Sequence, residues 1–112
     1  MALLILKKPA TTEQISQMAE AFNGTMIKLA VDVEQGILAG GGQLYADCEQ
    51  ALLEEGSRQE NVWGADWYPE TQAVSFESLI NIRPRQQNFG LEVQNSTLSE
   101  QIEAIVRRIF EV

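Results

Sequence analysis

Two stretches of alternating apolar and polar residues constrain the fold of this chain more than any other feature of its sequence. Residues 27–33 and residues 74–82 each place an apolar side chain at almost every second position, which is the period of a β-strand that buries one face. Turn-forming residues 34–36 follow the first run, and residues 69–72 precede the second. Each turn joins its strand to a neighbour as a hairpin, and the second hairpin pairs residues 62–68 with 74–82. The sequence therefore predicts a largely antiparallel sheet.

Three helices are predicted between and after the strands. Thr11 and Thr97 each precede, by three residues, a glutamine or glutamate that completes a capping box at a helix start. A further helix is expected over about residues 43–55, and all three show the three- and four-residue apolar spacing of one buried face. With a short strand at residues 3–6, the order becomes β-α-β-β-α-β-β-α. We predict an α+β fold of about five strands, with the helices covering one face of the sheet in two layers.

Length and composition limit the kinds of site that the chain can form. It has 112 residues, of which 45% are hydrophobic, so we expect a single domain over residues 1–112. It contains no histidine and one cysteine, Cys48. Closed zinc sites built from cysteine and histidine are therefore excluded, as is catalysis that needs imidazole. We expect neither a metal nor a cofactor, although a site that holds a hard cation by carboxylates alone is not excluded.

Net charge and hydropathy indicate the cellular location of the protein and the kinds of partner that it excludes. The net charge is −8, from 16 acidic and 8 basic residues, and such a surface repels nucleic acid and anionic lipid at long range. The apolar run near the N-terminus, within residues 1–9, is far too short to span a bilayer. Lysines follow that run, whereas a signal peptide places its positive charges first. We therefore predict a cytoplasmic protein that associates neither with membranes nor with nucleic acid in general.

The most unusual segment, residues 63–68, holds both tryptophans. In a strand, Trp63 and Trp67 point to one side and Asp66 points to the other. The tryptophans either pack in the core or form a surface on which a ligand stacks, and the sequence leaves both interpretations open. Gly64, inside the same strand, indicates a bulge or a close approach of backbone or ligand.

A polar group follows near the end of the last long strand. Asn81, Arg83 and Arg85 lie close together in sequence, and the two arginines flank a proline. Arginines so placed can clamp a carboxylate or a phosphate, and the commoner alternative is pairing with the protein's own acids. Together with the aromatic segment they form our candidate ligand-binding surface, which comprises Trp63, Asp66, Trp67, Asn81, Arg83 and Arg85.

Two carboxylates on the second helix, Asp47 and Glu49, are secondary candidates. Paired carboxylates can transfer protons or hold a divalent cation, but a solvated acidic helix face is the more usual explanation. Cys48 lies between them on the apolar side of the helix. We expect a buried structural thiol there, because no histidine is present to activate it. The glycine run at residues 40–42 is more usual as a flexible turn than as a phosphate site.

Several of these segments together resemble an uncharacterised bacterial family, a domain of unknown function. The segments that carry the resemblance are residues 31–32 (VD), 40–42 (GGG), 46–49 (ADCE), 56–59 (GSRQ), 63–69 (WGADWYP) and 78–84 (SLINIRP). The likeness extends over nearly the whole chain. It implies a small bacterial protein and brings no activity with it.

Three hypotheses about function are consistent with these patterns. We interpret the chain as a binding or interaction module that recognises a small anionic ligand or a protein partner. The alternative is a small hydrolase-like enzyme, in which Asp47, Glu49 or Asp66 is the base and an arginine stabilises an anion. The third is a structural homo-oligomer that pairs through an edge strand. The sequence decides neither the ligand or partner nor whether catalysis occurs.

The charge distribution yields a first testable prediction. The 8 basic residues are scattered, with at most two adjacent in sequence, so few phosphates can be neutralised together. We therefore expect no binding of random-sequence single- or double-stranded oligonucleotides at about 0.15 M salt, as measured by fluorescence anisotropy. Micromolar or tighter binding that weakens steeply with added salt would contradict this expectation, since it would mean that the scattered basic residues converge on one face.

Overall fold

The computed structural model of the protein describes residues 3–111, which form one antiparallel sheet and three α-helices. The strands are β1 (Leu4–Leu6), β2 (Ile27–Asp32), β3 (Ile37–Gly40), β4 (Val62–Tyr68) and β5 (Ala73–Ser75), in the spatial order β1-β3-β2-β4-β5. The helices are α1 (Thr12–Ala19), α2 (Tyr45–Glu54) and α3 (Ser96–Phe110). The predicted α+β class, the five antiparallel strands, the three helices and their order are confirmed. Within residues 3–111, no helix is long and apolar enough to cross a membrane.

The centre of the sheet is the hairpin of β2 and β3, and its turn falls where the sequence predicts it. Gly36 adopts a positive φ of 70°, which the absence of a side chain permits. The Asp32 carboxylate at the end of β2 accepts the backbone N–H groups of Glu34 and Gln35 at 2.9 and 3.0 Å. The turn thereby sets the register, and the register decides which face of β2 each side chain occupies.

The helices lie on both faces of the sheet, which corrects the expectation of two layers with all helices on one face. α1 and α3 pack on the face that carries the alternating apolar residues of β2. α2 packs on the opposite face through Cys48 and Leu52, which are completely buried. They share a cluster with Ala30 and Ala39, direct cross-strand partners whose small side chains leave room for a helix. The sheet is therefore the middle of three layers.

β4 and β5 form the second predicted hairpin, but β5 ends at Ser75 instead of continuing to Ile82. Residues 79–81 form a short 3₁₀ helix, so the predicted long strand is wrong beyond Ser75. The cause is the side chain of Asn81, which takes the place of a strand beside Gly64 of β4. It accepts the Gly64 N–H at 2.8 Å and donates to the Gly64 carbonyl at 3.0 Å, as a neighbouring strand would.

The helix starts differ in how well their capping residues were predicted. At α1 the Thr11 capping box is confirmed, since the Thr11 hydroxyl accepts the Gln14 N–H at 3.1 Å and the Gln14 side chain accepts the Thr11 N–H at 3.0 Å. At α3 the predicted cap, Thr97, is wrong by two residues. Asn95 precedes the helix and accepts the Leu98 N–H at 3.0 Å. Asparagine caps a helix at least as well as threonine, so the earlier residue takes the role.

Glycine is required at position 64, where the chain after β5 crosses β4. A Cβ atom on Gly64 would lie 2.4 Å from both Cβ and Oγ of Ser78, which is well inside van der Waals contact. Of the two explanations for a glycine within a strand, the structure therefore gives the close approach of another segment of the chain. That segment is the one that carries Asn81.

We expect Gly64→Ala to lower the free energy of unfolding by about 1–3 kcal/mol, the usual cost of overpacking, as measured by urea denaturation. Gly90→Ala is the matched control and should change stability little, because a Cβ there would meet its nearest atom at an ordinary 3.5 Å. Adding Ser78→Gly to Gly64→Ala should restore part of the loss by removing the clashing atoms. Equal effects of the two alanine variants would show that Ser78 does not approach β4 in this way.

Candidate functional site

The two tryptophans of the aromatic segment are packed in the core. Trp63 and Trp67 are 4% and 2% exposed. The Trp67 ring stacks on Phe110 of α3, with ring centroids 5.4 Å apart. The guanidinium carbon of Arg83 lies 4.5 Å from the centroid of the Trp63 ring, a cation–π contact that covers one face of that ring. The aromatic segment therefore presents no open stack of the two rings to a ligand.

Asn81 is completely buried, and its carboxamide is used by the protein backbone. Besides pairing with Gly64, its Nδ2 donates to the carbonyl oxygens of Phe76 and Leu91 at 3.0 and 3.2 Å. A buried amide with this many internal partners is satisfied. Asn81 therefore holds the segment after β5 in place and does not reach a cleft.

Arg83 is held entirely by the protein's own acceptors. A guanidinium group has five N–H groups, and each of them has a partner. They donate to the carbonyl oxygens of Ile80 at 2.8 Å, Gln59 at 2.7 Å and Val62, to the Gln86 side chain at 3.3 Å, and to Glu49 at 3.2 Å. Burial lowers the pKa of Arg83, and the Glu49 carboxylate opposes that change. An anion can bind Arg83 only by displacing one of these partners.

The remaining predicted residues are divided between two places. Asp47 is exposed on α2, Glu49 is paired with Arg83, and Arg85 lies on the rim of a cleft beside Arg83. Asp66 lines a different cleft. The structure therefore does not bring Asp66 together with the arginines. Among the residues it describes, no group of three or more suitable side chains is placed to hold a metal ion.

The cleft at Asp66, which we call the Asp66 cleft, encloses about 320 Å³. It lies between the start of α2, the hairpin of β4 and β5, and the segment that follows β5. Among the predicted ligand-binding residues, Asp66 alone lines it. Its wall combines polar and apolar side chains, namely Met26, Tyr45, Asp66, Tyr68, Ser75, Glu77, Ser78, Leu79 and Leu91.

Asp66 is buried, with 3% of its surface exposed, and has polar neighbours on every side. In the sheet register it lies opposite Lys28 of β2 and Ser75 of β5. Tyr45, the first residue of α2, donates its hydroxyl to Asp66 Oδ1 at 2.5 Å, a short charge-assisted hydrogen bond. The Lys28 ammonium group lies 4.7 Å from the Tyr45 ring centroid and 5.0 Å from that of Phe22. Cation–π contacts thus hold the lysine beside this network.

Burial shifts the titration of three groups in the Asp66 cleft. It raises the pKa of Asp66, and Glu77 acts in the same direction, whereas hydrogen bonds, that from Tyr45 first, and the Lys28 ammonium group oppose the rise. Burial also raises the pKa of Tyr45 and of Tyr68, and the Asp66 carboxylate adds to both shifts. Groups with shifted pKa values concentrate at functional sites, so their convergence singles out this cleft.

The mouth of the Asp66 cleft is acidic. Glu77 lines it, and Glu77 and Glu92 are partners in an antiparallel β-bridge. Side chains at directly opposite positions of such a bridge lie on the same side, and like charges there are destabilising. Within residues 3–111, neither carboxylate forms an ion pair with a basic side chain.

Sequence reasoning missed most of the residues that surround Asp66. Tyr68 lies on the same side of β4 by simple strand alternation, so the pattern could have placed it in the site. Ser75 follows from the hairpin register once the turn is placed correctly. Tyr45 could not be found in this way, because it belongs to a helix that packs on the face predicted to be solvent-exposed.

Comparison with known proteins gives a family and no activity. The family model described as "Protein of unknown function (DUF5674)" matches residues 4–109. The match covers nearly the whole chain and confirms the resemblance to an uncharacterised family. No curated protein and no solved structure matches the chain. The geometry of the cleft is therefore the basis for a proposal about function.

We expect the effect of Asp66→Asn on the free energy of unfolding to be more favourable at neutral pH than in acid. The folded-state pKa of Asp66 is raised above its ordinary value of 3.8, so the wild-type protein loses stability as the pH rises from 3.8 through the folded-state pKa. Asparagine keeps an acceptor for Tyr45 and does not ionise. The difference in unfolding free energy between the variant and the wild type should therefore grow over that interval, as measured by urea denaturation.

Asp47→Asn is the control for Asp66→Asn, because it changes the net charge equally at an exposed position of α2. A difference between Asp66→Asn and the wild type that stays flat or shrinks as the pH rises would contradict the raised pKa of Asp66.

Proposed function

The chain belongs to DUF5674, a family of proteins of unknown function, and we propose that it is a ligand-binding module whose Asp66 cleft takes a small molecule with a protonated amine. One observation carries the proposal. A buried carboxyl group, Asp66, lies in a cleft that Glu77 also lines, and Glu77 is the partner of Glu92 in a β-bridge. None of the described residues that line the cleft is basic. An ammonium group is the partner that such a set of acceptors favours.

The rest of the wall suits a small amphipathic cation. The hydroxyl groups of Tyr45, Tyr68 and Ser75 supply neutral hydrogen-bonding positions around the carboxylate, and Leu79 and Leu91 supply apolar surface. A volume of about 320 Å³ is at the lower end of the range for ligand pockets, which favours a small ligand. The net charge of −8 attracts cations at long range and repels anions.

The charge of the proposed ligand differs from that of the anion hypothesised from the sequence. That hypothesis relied on Arg83 as a clamp, and the donors of Arg83 are occupied by internal acceptors. In the Asp66 cleft, Glu77 makes no ion pair within residues 3–111, so a cation can pair with it without displacing a basic side chain.

A small hydrolase is the second candidate, favoured by the raised pKa of Asp66 and its hydrogen bond to Tyr45. A carboxyl group of raised pKa can act as a general acid or base near neutral pH. That mechanism also needs an arginine to stabilise an anion, and Arg83 and Arg85 line the neighbouring cleft, not this one. Catalysis therefore needs an arginine that the Asp66 cleft does not contain, whereas binding alone does not.

The setting of this module is also part of the proposal. A cytoplasmic location is supported by the buried, unpaired thiol of Cys48, since reduced cysteines are typical of that compartment, and a bacterial origin by the family resemblance. The absence of generic nucleic-acid binding is supported by the net charge. A homo-oligomer could use the edge strands β1 and β5, but each has only three residues, and short edges are poor templates for pairing.

The proposal is tested with butylamine and phenethylamine against the corresponding alcohols. We expect the amines, and not the alcohols, to shift the backbone NMR signals of Tyr45, Asp66 and Ser75, because only an ammonium group pairs with the carboxylates. Glu77→Gln should weaken amine binding about tenfold. Glu70→Gln, exposed in the turn between β4 and β5, is the matched control and should have no effect. Equal shifts from amines and alcohols would refute the proposal, as would amine binding that survives both Asp66→Asn and Glu77→Gln.

A further inference from the structure

A second cleft, which we call the Arg85 cleft, lies beside the Asp66 cleft and encloses about 590 Å³. Part of its wall is apolar, because Leu79 and Ile82 are 73% and 44% exposed there. Arg85 stands on its rim. Large apolar side chains that lie together on a surface are typical of interaction sites, so this cleft also has the character of a binding surface.

Arg85 has donors to spare. In the part of the chain that the structure describes, its side chain makes no ion pair, although the protein has 16 acidic and 8 basic residues. The carboxylates of the cleft are already engaged, since Glu49 pairs with Arg83 at 3.2 Å and Glu60 pairs with Arg58 at 2.9 Å. An anion from outside the protein is therefore the natural partner of Arg85.

The two clefts meet at Leu79, which lines both of them. Asp66 and Glu77 line one of these adjoining clefts and Arg85 lines the other, so the two clefts offer charges of opposite sign on either side of Leu79. Strand β4 gives the scale of the separation. Val62, whose carbonyl oxygen accepts a hydrogen bond from Arg83 of the Arg85 cleft, lies four residues before Asp66 on this strand, so about 13 Å of backbone at 3.3 Å per residue separates these two points of the clefts.

We propose that the two clefts bind one short apolar peptide with free termini. Its N-terminal ammonium group lies against Asp66 and Glu77, its apolar side chains lie on Leu79 and Ile82, and its C-terminal carboxylate pairs with Arg85. An extended tetrapeptide spans about 13 Å, the length of β4 from Val62 to Asp66. The amine end rests on the proposed function, and the peptide and its carboxylate end go beyond it.

The peptide does not bind as an additional strand on β4. The edge of β4 beside the groove is closed, because Asn81 occupies both backbone groups of Gly64 and Arg83 occupies the carbonyl of Val62. Strand addition needs free backbone groups along an edge. Affinity therefore comes from the two terminal charges and the apolar wall.

The test uses the tetrapeptide Leu-Ala-Ala-Leu in free, N-acetylated and C-amidated forms, with affinity for the full chain measured by isothermal titration calorimetry. We expect C-amidation and Arg85→Gln each to weaken binding about tenfold, and the amidated peptide to lose nothing more with Arg85→Gln. N-acetylation and Asp66→Asn should behave in the same way at the other end. Lys8→Gln, an equal change of charge at an exposed residue outside the groove, is the control and should leave binding unchanged.

The outcomes separate this inference from the proposed function. Equal binding of the free and amidated peptides, or no effect of Arg85→Gln, overturns the peptide groove. If N-acetylation still abolishes binding in that case, the amine site of the proposed function stands. Binding of simple amines without binding of any form of the peptide also overturns the groove. Equal affinity for an ω-amino carboxylic acid of the same length overturns the assignment to peptides. If acetylation has no effect and simple amines do not bind, both proposals fail.

Discussion

The pairing of the Asn81 carboxamide with the backbone of Gly64 is the interaction on which the rest of the molecule depends. It satisfies β4 at the point where β5 has ended, so the chain can leave the sheet without exposing an unpaired edge. The carboxamide of Asn88 also binds backbone groups, since it donates to the Asn81 carbonyl at 2.8 Å and accepts the Gln94 N–H at 2.8 Å. Loss of either buried carboxamide leaves several backbone groups unpaired, at about 1–3 kcal/mol for each.

These two asparagines fix the backbone of residues 76–91 through buried hydrogen bonds. Phe76 and Ile80 pack against the core, but Leu79, Ile82, Phe89 and Leu91 are 43% to 73% exposed, while polar side chains hold the backbone of the segment. This arrangement reverses the usual order, in which apolar side chains are buried and polar ones face water. A surface held by satisfied buried hydrogen bonds is preorganised, so a ligand loses little affinity to the ordering of the protein.

Local chemistry made much of this fold predictable, and the failures have a common cause. The Thr11 capping box and the Gly36 turn act within a few residues, and both appear as expected. The strand over residues 74–82 was mispredicted because the alternating pattern reports only which side chains are apolar. It does not show that the side chain of Asn81 takes the hydrogen bonds of a neighbouring strand. The position of α2 was mispredicted because Ala30 fits a wet strand face, although its small size is what admits the helix.

The candidate site was predictable only in part. A charged side chain is available to a ligand only where residues distant in sequence do not already pair with it, and the sequence does not reveal those pairs. Arg83 and Arg85 are equivalent in the sequence, yet every donor of Arg83 has an internal acceptor, and Arg85 has no ion pair among the described residues. Asp66 has a hydroxyl donor and a nearby ammonium group, whereas Glu77 faces another glutamate. A fold retains closely opposed like charges only at a cost to its stability. In the groove that we propose, an acidic cleft adjoins the cleft of Arg85, and a ligand with a charge of each sign at its two ends is the kind that pairs with both.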